Sequence, residues 1–76
     1  MKVYTLEVSW WSDEVMHDIL GVYTHKEEAQ EYMKIDIEKS MASDHPEQIE
    51  YNEDNSSAHY SDGKRACDWW IREWNI

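Results

Sequence analysis

Of the ten Phe, Tyr and Trp side chains available to this chain of 76 residues, five are Trp, five are Tyr and none is Phe. Each of these rings buries about 150 to 250 Å² but carries an N–H or O–H that needs a partner once it leaves water. A core built from them is therefore possible only if polar partners come with it. So much apolar area argues for a folded domain and against an acidic disordered tail. Size sets the second limit. A chain this short buries about 60 to 65% of the surface its unfolded form exposes, and one core of this size rarely supplies more than about 3 to 5 kcal/mol. One small domain spanning residues 1–76 is expected.

Cys67 is the lone cysteine, so it has no intrachain disulfide partner. A secreted domain of this size is ordinarily stapled by several bridges, which favours a reducing, cytoplasmic setting. Residues 1–10 contain no long apolar stretch, and Glu7 interrupts what there is, so no signal peptide is expected. No run approaches the ~18 apolar residues of a membrane span, and anionic lipid would repel the acidic chain, so a soluble protein is expected. Asn55-Ser56-Ser57 matches a glycosylation acceptor, a three-residue pattern that arises readily by chance.

Charge is unevenly placed. Residues 1–54 hold 14 acids and 4 lysines and so carry the whole net charge of −10, whereas residues 55–76 hold three acids and three bases. Between Asp44 and Asp54 lie Asp44, Glu47, Glu50, Glu53 and Asp54 with no Lys or Arg. Direct binding to nucleic acid is disfavoured, because affinity for phosphates comes from the Lys and Arg that neutralise them.

Periodicity gives the elements. Lys2 to Trp10 alternates, with Tyr4, Leu6, Val8 and Trp10 on one face and Val3, Thr5, Glu7 and Ser9 on a mostly polar one, the pattern of a half-buried strand. Asp18 to Tyr23 reads as a second strand returning beside it, with Gly21 marking a bulge or a close backbone approach. Thr24-His25-Lys26-Glu27 matches a capping box, and Ala29, Tyr32, Met33, Ile37 and Met41 follow helical spacing. Glu27 and Glu28 suit the positive end of that helix, while Glu31, Lys34, Glu38 and Lys39 fall on its solvated side. Asp44-His45-Pro46 supplies a stop, so the helix is expected over about residues 24–43. Gln48 to Tyr51 suits a short strand and Asn52 to Ser57 a loop. Asp62-Gly63 signals a hairpin turn between His59-Tyr60 and Lys64 to Cys67, and residues 69–76 read as a terminal strand. The expected fold is α+β, a small antiparallel sheet with one helix on one face.

Val3-Tyr4-Thr5-Leu6-Glu7, followed by Gly21-Val22-Tyr23-Thr24 and Glu27-Glu28-Ala29, resembles a group of small uncharacterised phage and bacterial domains. In these a VYxLE strand leads through a hairpin to GVYS/T and an xxEEA helix. The likeness covers about the first 40 residues and brings no catalytic residue. It implies a βββ- or ββαβ-like layer and a phage or mobile-element setting.

Several constellations bring together residue types that could carry chemistry. Asp13, Glu14, His17 and Asp18 are the densest set of metal-ligand types, but zinc spacing and the alternating oxygens of a hard-cation loop are both missing, so a solvated turn and no metal are expected. Cys67 would need a close base to act as a nucleophile, and His59 lies across the expected hairpin from it; a buried free cysteine is the commoner use of the residue. Paired carboxylates carry no information in a chain with 17 acids, and two glycines make no phosphate loop. No catalytic residue and no cofactor are expected, and the protein is read as a non-enzyme. In each of Trp10-Trp11 and Trp69-Trp70 one ring enters the core while its neighbour faces out, either under a loop or as an interface contact.

A solvated surface accounts for the acids without any partner. The sharper reading is that Glu28, Glu31, Glu38, Asp44, Glu47, Glu50, Glu53 and Asp54, with Trp11 as an aromatic contact, imitate nucleic-acid phosphates and engage a basic host protein. The leading expectation is thus a phage-encoded interaction protein of anti-CRISPR or anti-restriction type, acting in the host cytoplasm. The alternative is a structural or accessory module that self-associates, as a homodimer or more, through exposed aromatics or a sheet edge.

Overall fold

The computed structural model describes residues 1–12 and 15–76. Among these residues five strands and one α-helix follow the order β1 Lys2–Trp11, β2 Val15–Tyr23, α1 Lys26–Lys39, β3 Ile49–Tyr51, β4 Ser57–Ser61 and β5 Ala66–Asn75. Two 3-10 turns, Met41–Asp44 and Pro46–Gln48, join α1 to β3. The strands form one antiparallel sheet in the order β2-β1-β5-β4-β3. The α+β class is therefore observed. The first and last strands lie side by side in the middle, and β2 and β3 are the edges.

The alternation in β1 decides where the core lies. Leu6 and Val8 join Cys67 and Trp69 of β5, Ala58 and Tyr60 of β4, Met33 and Ile37 of α1, and Ala42 in one buried cluster. Trp10, Tyr23, Ile49 and Ile71 pack against it. Trp69 is fully buried, its Nε1–H donates to Asp36 Oδ2 at 2.8 Å, and Trp10 meets it edge-on with ring centroids 5.9 Å apart. The helix thus brings the polar partner that a buried indole requires. As the alternation predicts, Trp11 and Trp70 take the face opposite Trp10 and Trp69, with Trp11 54% exposed.

Four boundaries differ from the sequence expectation. The helix spans Lys26–Lys39, not 24–43; its N-cap is His25, with no side-chain cap, so Thr24 does not close a capping box. It ends early because Ser40 turns back on it: Ser40 Oγ–H donates to the Ile37 carbonyl at 2.7 Å, and Ser40 Oγ accepts from the Ala42 N–H at 3.2 Å. That exchange starts a 3-10 turn before Pro46 is reached, and it leaves Met41 37% exposed outside the helix. Strand β2 begins at Val15, three residues earlier than expected. The hairpin before β5 closes through four residues, with Ser61 opposite Ala66 and Gly63 at φ 86°, a conformation glycine adopts without strain.

Gly21 sits at a bulge. Leu6 pairs with Gly21 and Glu7 with Ile19, so Leu20 is the extra residue. Tyr23 folds back over Gly21, where a Cβ would collide with its ring, and stacks on Tyr32 of α1 at 5.1 Å.

Candidate functional site

Two regions carry chemistry, and the first is the sheet face turned away from the buried cluster. Glu7 stands there on a central strand and is only 4% exposed. Its carboxylate is fully engaged. Arg72 Nε lies 3.2 Å from Oε2, His17 Nε2 lies 3.0 Å from Oε1, and Thr5 Oγ1–H donates to Oε2 at 3.2 Å. Trp74 Nε1–H donates in turn to Thr5 Oγ1 at 2.9 Å, with the Arg72 guanidinium 5.4 Å from the Trp74 ring centre. His17 stacks on Trp70 with ring centroids 5.3 Å apart. One buried carboxylate therefore orients a guanidinium, an imidazole and two indoles on one surface.

Beside this hub a polar row crosses all five strands. Strand register aligns His17, Ser9, Asp68, His59 and Glu50. His59 Nδ1 lies 2.6 Å from Asp68 Oδ1. Ser9, Glu50, Tyr51, His59, Asp68 and Trp70 help line an open groove of about 630 Å³. Its aromatic walls and carboxylates are chemistry suited to a cation or to a donor-rich segment.

The second region is acidic. Glu28, Glu31 and Glu38 are exposed on α1, with Glu31 and Glu38 two turns apart on one stripe. Asp44 and Glu47 occupy the 3-10 turns, Glu50 lies on β3, and Glu53 and Asp54 lie in the connection to β4, all exposed. This segment leaves the C-terminal end of α1 and returns to its N-terminal half. There Lys26 Nζ pairs with Asp54 Oδ2 at 3.2 Å and Gln30 Nε2–H donates to the Asp54 carbonyl at 2.9 Å. Hydrogen bonds from Ser56, then from Lys26, hold the Asp54 carboxyl down at about 2. The carboxylates do not share one plane: Glu50 faces the open groove, whereas Glu28, Glu31 and Glu38 ride on the helix, so the set wraps the β3 edge. Trp11 is not among them. It ends β1, with β5 and β4 between it and β3.

Two further sequence candidates were Cys67 and the cluster from Asp13 to Asp18. Cys67 is fully buried opposite Tyr60, and burial, with Asp68 and Asp36 nearby, pushes its thiol up. A thiol held protonated in the core is a poor nucleophile. His59, offered as its base, points to the other face and is bound to Asp68. In the proposed metal cluster, Asp13 and Glu14 lie outside the described residues. His17 is engaged by Glu7, while Asp18 points to the opposite face and its Oδ1 accepts the Ile19 N–H at 2.9 Å. Among the described residues no three His, Cys, Asp or Glu side chains converge as a metal site would require.

The Glu7 hub escaped the sequence reading. Its partners lie 2, 10 and 65 residues away and meet it only once the strands are in register. The one available signal was a glutamate between the apolar Leu6 and Val8 of a strand rich in β-formers.

No family model, curated protein or solved structure matches this chain. Among the described residues no helix is long and apolar enough to cross a membrane.

Proposed function

We propose that this chain is a non-enzymatic interaction protein that occupies the basic groove of a nucleic-acid-handling protein. One observation carries the reading: the acidic segment 44–54 leaves the end of α1 and is tied back to its N-terminal half where Lys26 and Gln30 bind Asp54, so that its carboxylates and those of Glu28, Glu31 and Glu38 wrap one edge of the molecule. The 14 residues of α1 span about 20 Å. One strand of duplex DNA places about six phosphates along that length, at roughly 3.4 Å each. Eight carboxylates stand here, of which Asp54 is partly neutralised by Lys26. Seven carboxylates besides Asp54, set against about six phosphates, is a count closer to one strand than to a duplex. We take α1 to cover one face of the sheet, a reading supported by the burial of Ala29, Met33 and Ile37 and by the bond from Trp69 to Asp36. In the concrete version the chain is phage-encoded and blocks a host defence nuclease, of CRISPR or restriction type, in the host cytoplasm. The charge and the strand-to-helix resemblance motivate it.

The test uses charge reversal at three exposed carboxylates, of which Glu47 lies 3.8 Å from His45 at the surface. Glu47→Lys, Glu50→Lys and Glu53→Lys combined should leave the melting temperature nearly unchanged and abolish capture of the basic partner. Capture by the unaltered protein should weaken with salt and be displaced by duplex DNA or RNA. Affinity unaffected by the triple reversal would overturn the reading. Asp54 is left in place because it ties the loop to Lys26 and Ser56.

A further inference from the structure

The two edges of the sheet are protected very differently. Strand β3 is three residues long, is preceded by Pro46 and carries Glu50 within an acidic segment, all devices that discourage pairing with another chain. Strand β2 is nine residues long, contains no Lys, Arg or Pro, and pairs on one side only, with β1. It also exposes apolar side chains on both faces. Val15, Ile19 and Val22 are 69%, 56% and 63% exposed on the Glu7 side, and Met16 is 65% exposed on the core side. Met16, Asp18 and Leu20 help line a cleft of about 370 Å³ with Trp10, Asp36 and Lys39, where the sheet runs out beyond the helix. Two features blunt this edge only locally: Asp18, whose carboxylate accepts the Ile19 N–H, and the bulge at Leu20, which leaves Val15 to Ile19 in regular register with β1.

We infer that β2 is a pairing edge for a second copy of this chain, joined antiparallel about a two-fold axis perpendicular to the sheet. The axis makes the strand its own complement. It sets the Val15, Ile19 and Val22 side of one copy beside the same side of the other, and likewise the Met16 and Leu20 side. Charge chooses this occupant over a foreign basic strand. The carboxylates crowd the helix and the β3 edge, so a basic segment is drawn there. Val15–Tyr23 contains only Asp18 as an acid. Pairing through β2 keeps the two acidic edges at opposite ends of a ten-stranded sheet, the arrangement that least opposes association of two chains of net charge −10. The inference does not rest on the nucleic-acid-mimic reading, since β2 contains none of its carboxylates.

Salt separates the two. Binding of a basic partner weakens as salt screens attraction, whereas a β2 dimer strengthens as salt screens the repulsion between like-charged copies. Sedimentation velocity from micromolar to near-millimolar protein should show a monomer–dimer equilibrium that shifts toward dimer at high salt. Ile19→Lys should raise the dimer dissociation constant by about tenfold or more, and Val22→Lys should do the same. Tyr51→Lys, at the β3 edge, should leave it unchanged. Circular dichroism establishes that each variant is folded, and the exposure of all three positions favours that. A monomer at every concentration in high salt would overturn the inference, as would a dimer that both β2 substitutions leave intact or that Tyr51→Lys weakens equally.

Discussion

Arg72 and Glu7 come from the last strand and the first, and their side chains meet at 3.2 Å on the face of the sheet that carries no other fully buried charge among the described residues. The pair is lopsided: the carboxylate side chain is 5% exposed, the guanidinium side chain 50%. A buried charge that loses a partner costs more than the pair contributes when whole.

Arg72→Ala should therefore destabilise the protein by about 1–3 kcal/mol, because it leaves Glu7 with only Thr5 and His17, discounted for the solvent that already screens the arginine. Glu7→Leu combined with Arg72→Met should recover most of that loss. Urea denaturation of the single and double variants checks both statements; a double variant less stable than Arg72→Ala would refute the assignment.

The indole of Trp69 has one acceptor, Asp36. Asp36→Ala orphans a buried N–H and should cost about 1–3 kcal/mol, whereas Asp36→Asn, which keeps a carbonyl oxygen, should cost less. The same denaturation assay distinguishes them. Equal loss in the two variants would show that the bond is unimportant.

Asp62 accepts from the Lys64 and Arg65 amides at 2.9 and 2.7 Å and from the Tyr60 hydroxyl at 3.0 Å. Those amides, with help from Tyr60 and Arg65, lower its carboxyl from 3.8 to about 2. A carboxyl lowered on folding stabilises the native state fully above its unfolded value, and the contribution is lost as pH falls from about 4 through about 2. Asp62→Asn should melt below the unaltered protein at neutral pH, with the gap closing across that window. Melting curves that stay parallel down to pH 2 would rule out this role.

Gly21→Ala should drive the Tyr23 ring off the bulge and off Tyr32, at a cost of about 1–3 kcal/mol. In a Tyr23→Ala background the same change should be nearly neutral, since the colliding ring is gone. A double-mutant cycle by thermal melting measures the coupling.

Local signals in the sequence corresponded to local structure. The alternation through Leu6 and Val8 marked the core side of β1 and Gly21 marked the bulge; of the residues at helical spacing, Ala29, Met33 and Ile37 are buried, while Tyr32 is 47% exposed and Met41 lies outside the helix. Relationships set by tertiary register were not legible. Glu7 reads as a solvated residue until Arg72 and His17 are placed beside it, and His59 reads as a neighbour of Cys67 until pleating sends the two to opposite faces. The helix end was missed for a different reason. Ser40 competes for the backbone through its own hydroxyl, a local exchange weaker in pattern than the proline that follows. The acids were legible as a count but not as a layout, since only the return of residues 44–54 to the N-terminal half of α1 and the bond to Lys26 set their spacing.

The pairing of β1 with β5 at the centre of the sheet also governs how the molecule can be made. Leu6 faces Ile71 and Val8 faces Trp69, contacts that close loops of more than 60 residues. Contacts so distant carry a large closure entropy and slow folding. During synthesis the β1–β2 hairpin and α1 emerge early, but the middle of the sheet stays open along one whole side of β1 until Ala66–Asn75 clears the ribosome. Until then Leu6, Val8 and the apolar edge of β2 are exposed together, and the nascent chain is at its most adhesive just before β5 emerges.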